Sequence, residues 1–374
     1  MRRVRGAGKS GCDAGSERGA MKKRPWHDLR WHWPSDQPDQ IRFDKGWLRR
    51  AALPEYVRTG VTAVAALPLL AAAWRGGQRA GAPTADFCGV AAPTTYDLAR
   101  DEQQLCLVRD LGVRRVLVRA PVWERARLRH LVRWCAELQA VTGNPVVVAV
   151  LQDRASVSEP RRWRADLADL FSALGPHAEA FQLPQAPNRT KWGCYHLGDA
   201  LDLLEAAERV RRHFPAIKLA GPAVIDFEPA PLLRMLYNQR LFTLEVATAL
   251  LYVDRRGAPE NTQYGIFDLD RKVRFTAAAC RASPRIARGA PLWITELNWP
   301  LLGTDYWTPT SDEECVDEAI AADFLVRSYR LAWATGQAER VYWWQLTAPG
   351  YGLVDARGGL RPRPAYHALR GLLR

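Results

Sequence analysis

Leu292-Trp293-Ile294-Thr295-Glu296-Leu297-Asn298-Trp299 is the stretch on which the reading of this chain turns. Its first four residues are apolar or β-branched, too few for a helix and without the polar alternation of a half-exposed strand. Such a run suits a strand covered on both faces, as in a parallel sheet flanked by helices. A carboxylate then closes the run, and there it is costly unless it is paired or hydrogen-bonded. A strand feeding a site ends this way, and an ordinary salt bridge at the rim of the sheet is the alternative.

Seven companions are found by the same criterion: Phe87–Ala91, Val116–Val118, Pro145–Leu151, Ala180–Leu183, Ile217–Ala220, Val246–Tyr252 and Val341–Gln345. With Leu292–Thr295 they make eight. Helical periodicity fills the intervals, as in Arg161–Leu174, in His196–His213 with Leu197, Leu201 and Leu204 on one face, and in Asp312–Thr335 with its acidic start. Eight β–α units predict a (β/α)₈ TIM barrel over residues 83–374. A doubly wound open sheet is the alternative, and no GxGxxG follows the first strand to support it.

Upstream the composition changes. Residues 1–58 are rich in Arg, Lys, Trp, Pro and Asp and lack a sustained pattern, so they read as a basic N-terminal extension. Residues 1–80 hold 16 basic and 7 acidic side chains, so +9 of the chain's net +13 lies there. Charge so placed attracts anionic surfaces in general, and no nucleic acid is expected as the partner of the barrel. The run Gly8-Lys9-Ser10 lacks the glycine and preceding strand of a phosphate loop, Arg3 standing where that glycine belongs. Residues 59–82 form an apolar segment and linker. Val61–Trp74 falls short of the ~20 residues of a spanning helix but fits a signal-type apolar core, with Arg49, Arg50 and Arg58 before it. Two readings stand side by side. One is a signal anchor that places the barrel in the cell envelope, with residues 1–82 meeting a membrane surface; the other is a helix packed on the barrel of a cytoplasmic protein. Seven cysteines, none in a CxxC pair, exclude a complete internal disulfide framework, and their spacing to the seven histidines makes no metal site. No cofactor is expected.

Chemistry in a barrel gathers where the strands end. There the sequence places Arg119, Asp153, Gln185-Ala186-Pro187-Asn188, Asp226, Tyr252, Asp254, Glu296 and Trp343-Trp344-Gln345. Arg119 and Tyr252 are suited to hold the Glu296 carboxylate. Trp192, Trp299, Trp307, Trp343 and Trp344, among fifteen tryptophans, fall near the mouth, where an indole face would stack on a sugar ring or pack the rim. Thr304–Ser311 reads as a loop over that mouth.

These segments resemble the retaining glycoside hydrolase superfamily of (β/α)₈ barrels that includes cellulases and β-xylosidases, over about Asp86 to Arg374. Trp293–Trp299 is similar to its seventh-strand motif, Val341-Tyr342-Trp343-Trp344 to its eighth strand, and Tyr351–Asp355 with Arg361–Tyr366 to its tail. The resemblance implies that Glu296 is the nucleophile, that Arg119 and Tyr252 contact it, and that Trp343 or Trp344 floors a sugar site. It also implies that Gln185, Asn188 and Trp299 bind substrate, an oligo- or polysaccharide.

One position departs from the pattern. The family's fourth strand ends in Asn-Glu-Pro, its Glu being the general acid/base, and here Gln185-Ala186-Pro187 occupies that place. A retaining mechanism wants two carboxyl groups ~5–5.5 Å apart. Ala186 supplies none, and the loss of general acid catalysis costs ~10²–10⁴-fold. The readings left open are a glycosidase using another acid (Asp153, Asp226, Asp254 or Asp305), a transferase-like enzyme with an activated glycosyl donor, and a non-catalytic glycan-binding protein of polysaccharide assembly.

Overall fold

Eight parallel strands close into a barrel in chain order: β1 Cys88–Ala91, β2 Arg115–Pro121, β3 Val146–Leu151, β4 Ala178–Gln182, β5 Leu219–Ile225, β6 Val246–Leu250, β7 Leu292–Leu297 and β8 Arg340–Trp343, which pairs back onto β1. The computed structural model describes residues 45–253, 257–304 and 314–374, together with the backbone of a small strand pair, Trp31–His32 with Gln37–Pro38. The (β/α)₈ expectation holds, and the open-sheet alternative falls because the sheet has no free edge between β8 and β1.

The strands carry two hydrophobic layers because their side chains alternate. Val116, Val118, Val148, Val150, Phe181, Leu219 and Ile294 face outward into a core shared with the helices. Leu117, Val147, Ala149, Ala180, Ala220, Trp293 and Tyr342 fill the barrel interior. Small residues on β3, β4 and β5 leave room there for the large rings delivered by β7 and β8. Charge closes the N-terminal end of the barrel: Arg340 donates to both oxygens of Glu179 (2.6 and 2.8 Å), and Arg115 pairs with Glu179 and Asp86.

The surrounding helices are α2 Leu98–Leu111, α3 Leu128–Thr142, α4 Pro160–Leu174, α5 Leu197–Arg211, α6 Pro229–Leu236, α7 Leu269–Ala282, α8 Glu318–Ala334 and α9 Pro364–Leu372, after an N-terminal α1 at Leu53–Ala73. Their ends follow from local chemistry. Asp97 accepts from the backbone N–H groups of Ala99 and Arg100 to start α2, and Gly112, at φ +76°, ends it in the left-handed conformation that suits glycine. Asp317 caps α8 by accepting from Ile320 N at 2.7 Å, later than the expected start at Asp312, which lies outside the described residues.

Two sequence expectations are corrected. Strand β5 starts at Leu219 and runs on past the expected end at Ala220, through Gly221-Pro222 to Ile225. It does so through a register shift between Pro222 and Val224, where Ala223 takes φ +47°. The apolar segment is likewise longer than Val61–Trp74: α1 has 21 residues and begins at Leu53, inside the stretch read as patternless extension. That makes it long and apolar enough to cross a membrane. Helix α1 packs on α6 and α7. Ala66 and Leu70 are buried in the core and Glu55 accepts from Arg234 Nε at 2.6 Å, while Tyr56, Val57, Val61, Val64 and Leu67 are exposed.

Candidate functional site

The side chain of Glu296 points into the barrel because β7 is bulged. Strict alternation from the inward Trp293 would send Glu296 outward. The pairing of β6 with β7 skips Thr295, however, with Ala249 opposite Ile294 and Leu250 opposite Glu296. Two residues on β7 thus take the room of one, so Glu296 turns inward and Leu297 joins the outer core.

Three other strand ends meet the carboxylate. Arg119, on regular β2, donates from a terminal guanidinium nitrogen to Oε1. Gln185, after β4, donates from Nε2 to the same oxygen at 2.7 Å. Tyr252, after β6, donates its hydroxyl to Oε2 at 2.7 Å. Glu296 is 3 % exposed, and its desolvation is compensated by these donors, one of them charged.

Behind Gln185 lies a glutamine network that sequence reading missed. Gln152, just past β3, accepts from the Gln185 backbone N–H at 2.9 Å and donates to the carbonyls of Gln185 (2.7 Å) and Trp192 (3.0 Å). Gln182 donates to Gln185 Oε1 at 3.2 Å, which directs the Gln185 amide nitrogen at Glu296. The available signal was a glutamine closing the apolar run Val146–Leu151, a polar group that needs a built partner.

The aromatic residues separate by strand parity. Trp344 faces inward with Tyr342, and the Arg119 guanidinium lies 4.7 Å from its ring centre; Trp192 stands 5.5 Å from the same group. Cation–π contact with both rings therefore helps hold Arg119 as it reaches Glu296. Trp343 and Trp299 are corrected in placement. They stack on each other at 5.8 Å within the core between barrel and helices, which leaves neither a face for a sugar. Asn188 also stands apart from Glu296. It exchanges hydrogen bonds with Ile225 and donates to Glu228, tying the β4 loop to the end of β5. Trp307 and the Thr304–Ser311 loop beyond Thr304 lie outside the described residues.

Ala186, which the sequence reading put at the acid/base position, is fully buried at φ +41° and packs with Leu151, Trp192, Ala223, Leu250 and Tyr252. Two of the substitute acids are engaged elsewhere. Asp153 caps the short helix Arg154–Ser158, and Asp226 pairs with Arg189 at 2.6 Å; Asp254 and Asp305 lie outside the described residues. Sequence reading also passed over Lys191, in the turn Thr190–Trp192, whose ammonium is 5.7 Å from the Trp192 ring. Burial first, then the charge of Arg119, push this lysine down to about 8, against the pull of Glu296. Among the described residues no cluster of three or more His, Cys, Asp and Glu forms a metal site.

No family model matches the chain, and neither does any curated protein. Solved structures do match in fold. The virulence factor SghA in complex with its substrate analog salicin is 12% identical with a TM-score of 0.55, over 78% of this chain and 96% of that one. A glucosidase from Croceicoccus marinus is 14% identical with a TM-score of 0.54, over 79% and 68%. A beta-glucosidase from Thermotoga maritima, in complex with glucoimidazole, is 11% identical with a TM-score of 0.52, over 77% and 98%. The chain therefore has a glycoside hydrolase-like (β/α)₈ fold, with the strand-end site described above as its own.

Proposed function

We propose that this barrel acts on a glycan, with Glu296 as nucleophile and with the usual acid/base position held by Ala186. The observation that carries the reading is the buried Glu296 carboxylate, gripped by Arg119, Gln185 and Tyr252 at the mouth end of the barrel. Donors fixed on both oxygens orient the carboxylate for attack on an anomeric carbon and need no reorganisation as its charge shifts. Trp344, already facing Arg119 inside the barrel, is the sugar platform of this reading. A second reading rests on the apolar cluster around Ala186: a glycan-binding barrel without turnover, serving polysaccharide assembly. Oligo- or polysaccharide is the ligand in both.

Aryl glycosides with a good leaving group separate the two, because they need no acid. Release that disappears in Glu296→Gln supports the nucleophile, and acceleration by azide places the defect at the missing acid/base. Oligosaccharide binding without release from any glycoside supports the binding barrel and sinks the enzyme.

We further infer that α1 attaches the barrel to a membrane surface in the cell envelope. Its support is the exposed apolar face of the helix, with Val57, Val61, Val64, Leu67 and Leu69 outward, and the basic residues Arg49, Arg50, Arg58 and Arg75 near its ends.

A further inference from the structure

Gln182 is fully buried at the end of β4, paired between Ala149 of β3 and Ala220 of β5. The two alanines leave it room, which an apolar side chain of the same length would fill with no polar atom to satisfy. Gln182 instead carries an amide of which one end is used. Its Nε2 donates to Gln185 Oε1 at 3.2 Å, whereas its Oε1 finds no partner among the described residues. A buried acceptor left unmatched is costly, so packing alone does not account for a glutamine here.

Direction accounts for it. A carboxylate only accepts hydrogen bonds, so the Gln185 amide has to turn its nitrogen to Glu296, as it does at 2.7 Å. Its oxygen then faces Gln182, and of the two ends of that second amide only the nitrogen can meet it. The Gln182 oxygen is left facing away. Three groups thus form a one-way chain of donors, from Gln182 to Gln185 to Glu296, and the unmatched oxygen is the end that this direction imposes. The backbone of Gln185 is held separately: Gln152 accepts from its N–H at 2.9 Å and donates to its carbonyl at 2.7 Å.

We propose that Gln182 is a positioning residue for the reaction at Glu296, acting through Gln185 by holding that amide in the sense the carboxylate requires. The inference rests on the reading of Glu296 as nucleophile, and it gives that carboxylate a support one side chain further into the barrel.

Two substitutions in the full chain separate this support from packing. Gln182→Met keeps length and burial and loses the donor; it moves the unmatched oxygen to Gln185 without adding one. Its midpoint in urea should stay close to the parent's, while kcat/KM for a 2,4-dinitrophenyl glycoside falls about 10-fold. Gln182→Glu supplies a donor only while the introduced carboxyl is protonated, the state that burial near another carboxylate favours. Its kcat/KM relative to the parent should be near one in acid and fall as the pH rises. Glu296→Gln, run alongside, shows whether release depends on the nucleophile. If it does, and Gln182→Met is as fast as the parent, loses activity only together with stability, or Gln182→Glu gives a ratio flat with pH, the proposal is overturned and the nucleophile stands. If the parent releases nothing from any glycoside, the nucleophile reading falls, and NMR of the chain labelled with ¹⁵N in its glutamine side chains decides the relay. The Gln185 amide, identified by its loss in Gln185→Ala, should show one far-downfield proton that moves in Gln182→Met and moves with pH in Gln182→Glu. A Gln185 signal indifferent to both substitutions overturns the relay.

Discussion

Gln185 is held at both ends of its residue by another glutamine: Gln152 grips its backbone N–H and C=O, while its side chain reaches Glu296 at 2.7 Å. The loop carrying Ala186 is thus fixed to β3, and the Glu296 carboxylate receives one of its donors from that fixture. Gln152→Leu should leave buried polar groups of Gln185 and Trp192 unmatched, at about 1–3 kcal/mol for each group left unsatisfied. Urea unfolding would measure the loss. An unchanged midpoint would show that the loop holds itself.

Packing inside the barrel gives a second expectation. A Cβ on Gly89 would stand 2.5 and 2.7 Å from ring carbons of Tyr342, which is buried. Gly89→Ala should therefore lower stability by about 1–3 kcal/mol, read as a fall in Tm. Combining it with Tyr342→Leu should recover part of the loss; additive penalties would mean that the two side chains do not meet.

Acid should weaken the C-terminal tail before the barrel. The Arg357 guanidinium, with help from Arg363, holds the Asp355 carboxyl well below the usual carboxylate range. A depressed pKa contributes stability that is complete above the ordinary value of ~3.9 and is lost as pH falls from there toward the folded value. Asp355→Asn should cost about 1–3 kcal/mol at pH 7, and the difference from the parent should narrow below about pH 4. A gap that stays constant down to pH 3 would assign the effect to packing.

Thiol chemistry should follow burial. Desolvation pushes Cys135 and Cys280 up to about 12, and Cys88 and Cys194 upward as well, whereas Cys106 is exposed. Under native conditions at pH 8, Cys106 should be alkylated within minutes. The four buried thiols should react only at the rate of unfolding, as mass mapping would record.

For the membrane reading, Val61→Asp with Val64→Asp should abolish binding to vesicles containing anionic lipid and spare the fold, because both side chains are exposed. Retained binding would transfer the attachment to another segment.

Much of this was readable from the chain alone. A strand covered on both faces has to be apolar throughout, so Val146–Leu151 and its companions announced a closed parallel sheet. Arg119, Tyr252 and Glu296 followed from where those runs stop. The choice between Trp343 and Trp344 was also open to parity, since Tyr342 and Trp344 share a face of β8. Other features were not legible. Gln152 and Gln182 act through hydrogen bonds between separate strand ends, and no local pattern encodes those. The start of α1 was hidden by Pro54, which suits a first helical turn, and by Glu55, whose charge is met by Arg234 from a distant helix. Lys191 had no motif; only the folding of its turn beside Trp192 gives it a place.

The bulge at Thr295 means that the position of the Glu296 carboxylate is set by counting. If Thr295 paired in regular step instead of being bulged out, no group that touches Glu296 would change, yet that carboxylate would be delivered to the oily layer beneath the helices. The distance along the backbone from Trp293 is therefore as much a part of the site as the acid itself. A one-residue slip of the pairing after Ile294 would take the carboxylate away from Arg119, Gln185 and Tyr252 while leaving each of these side chains in the sequence.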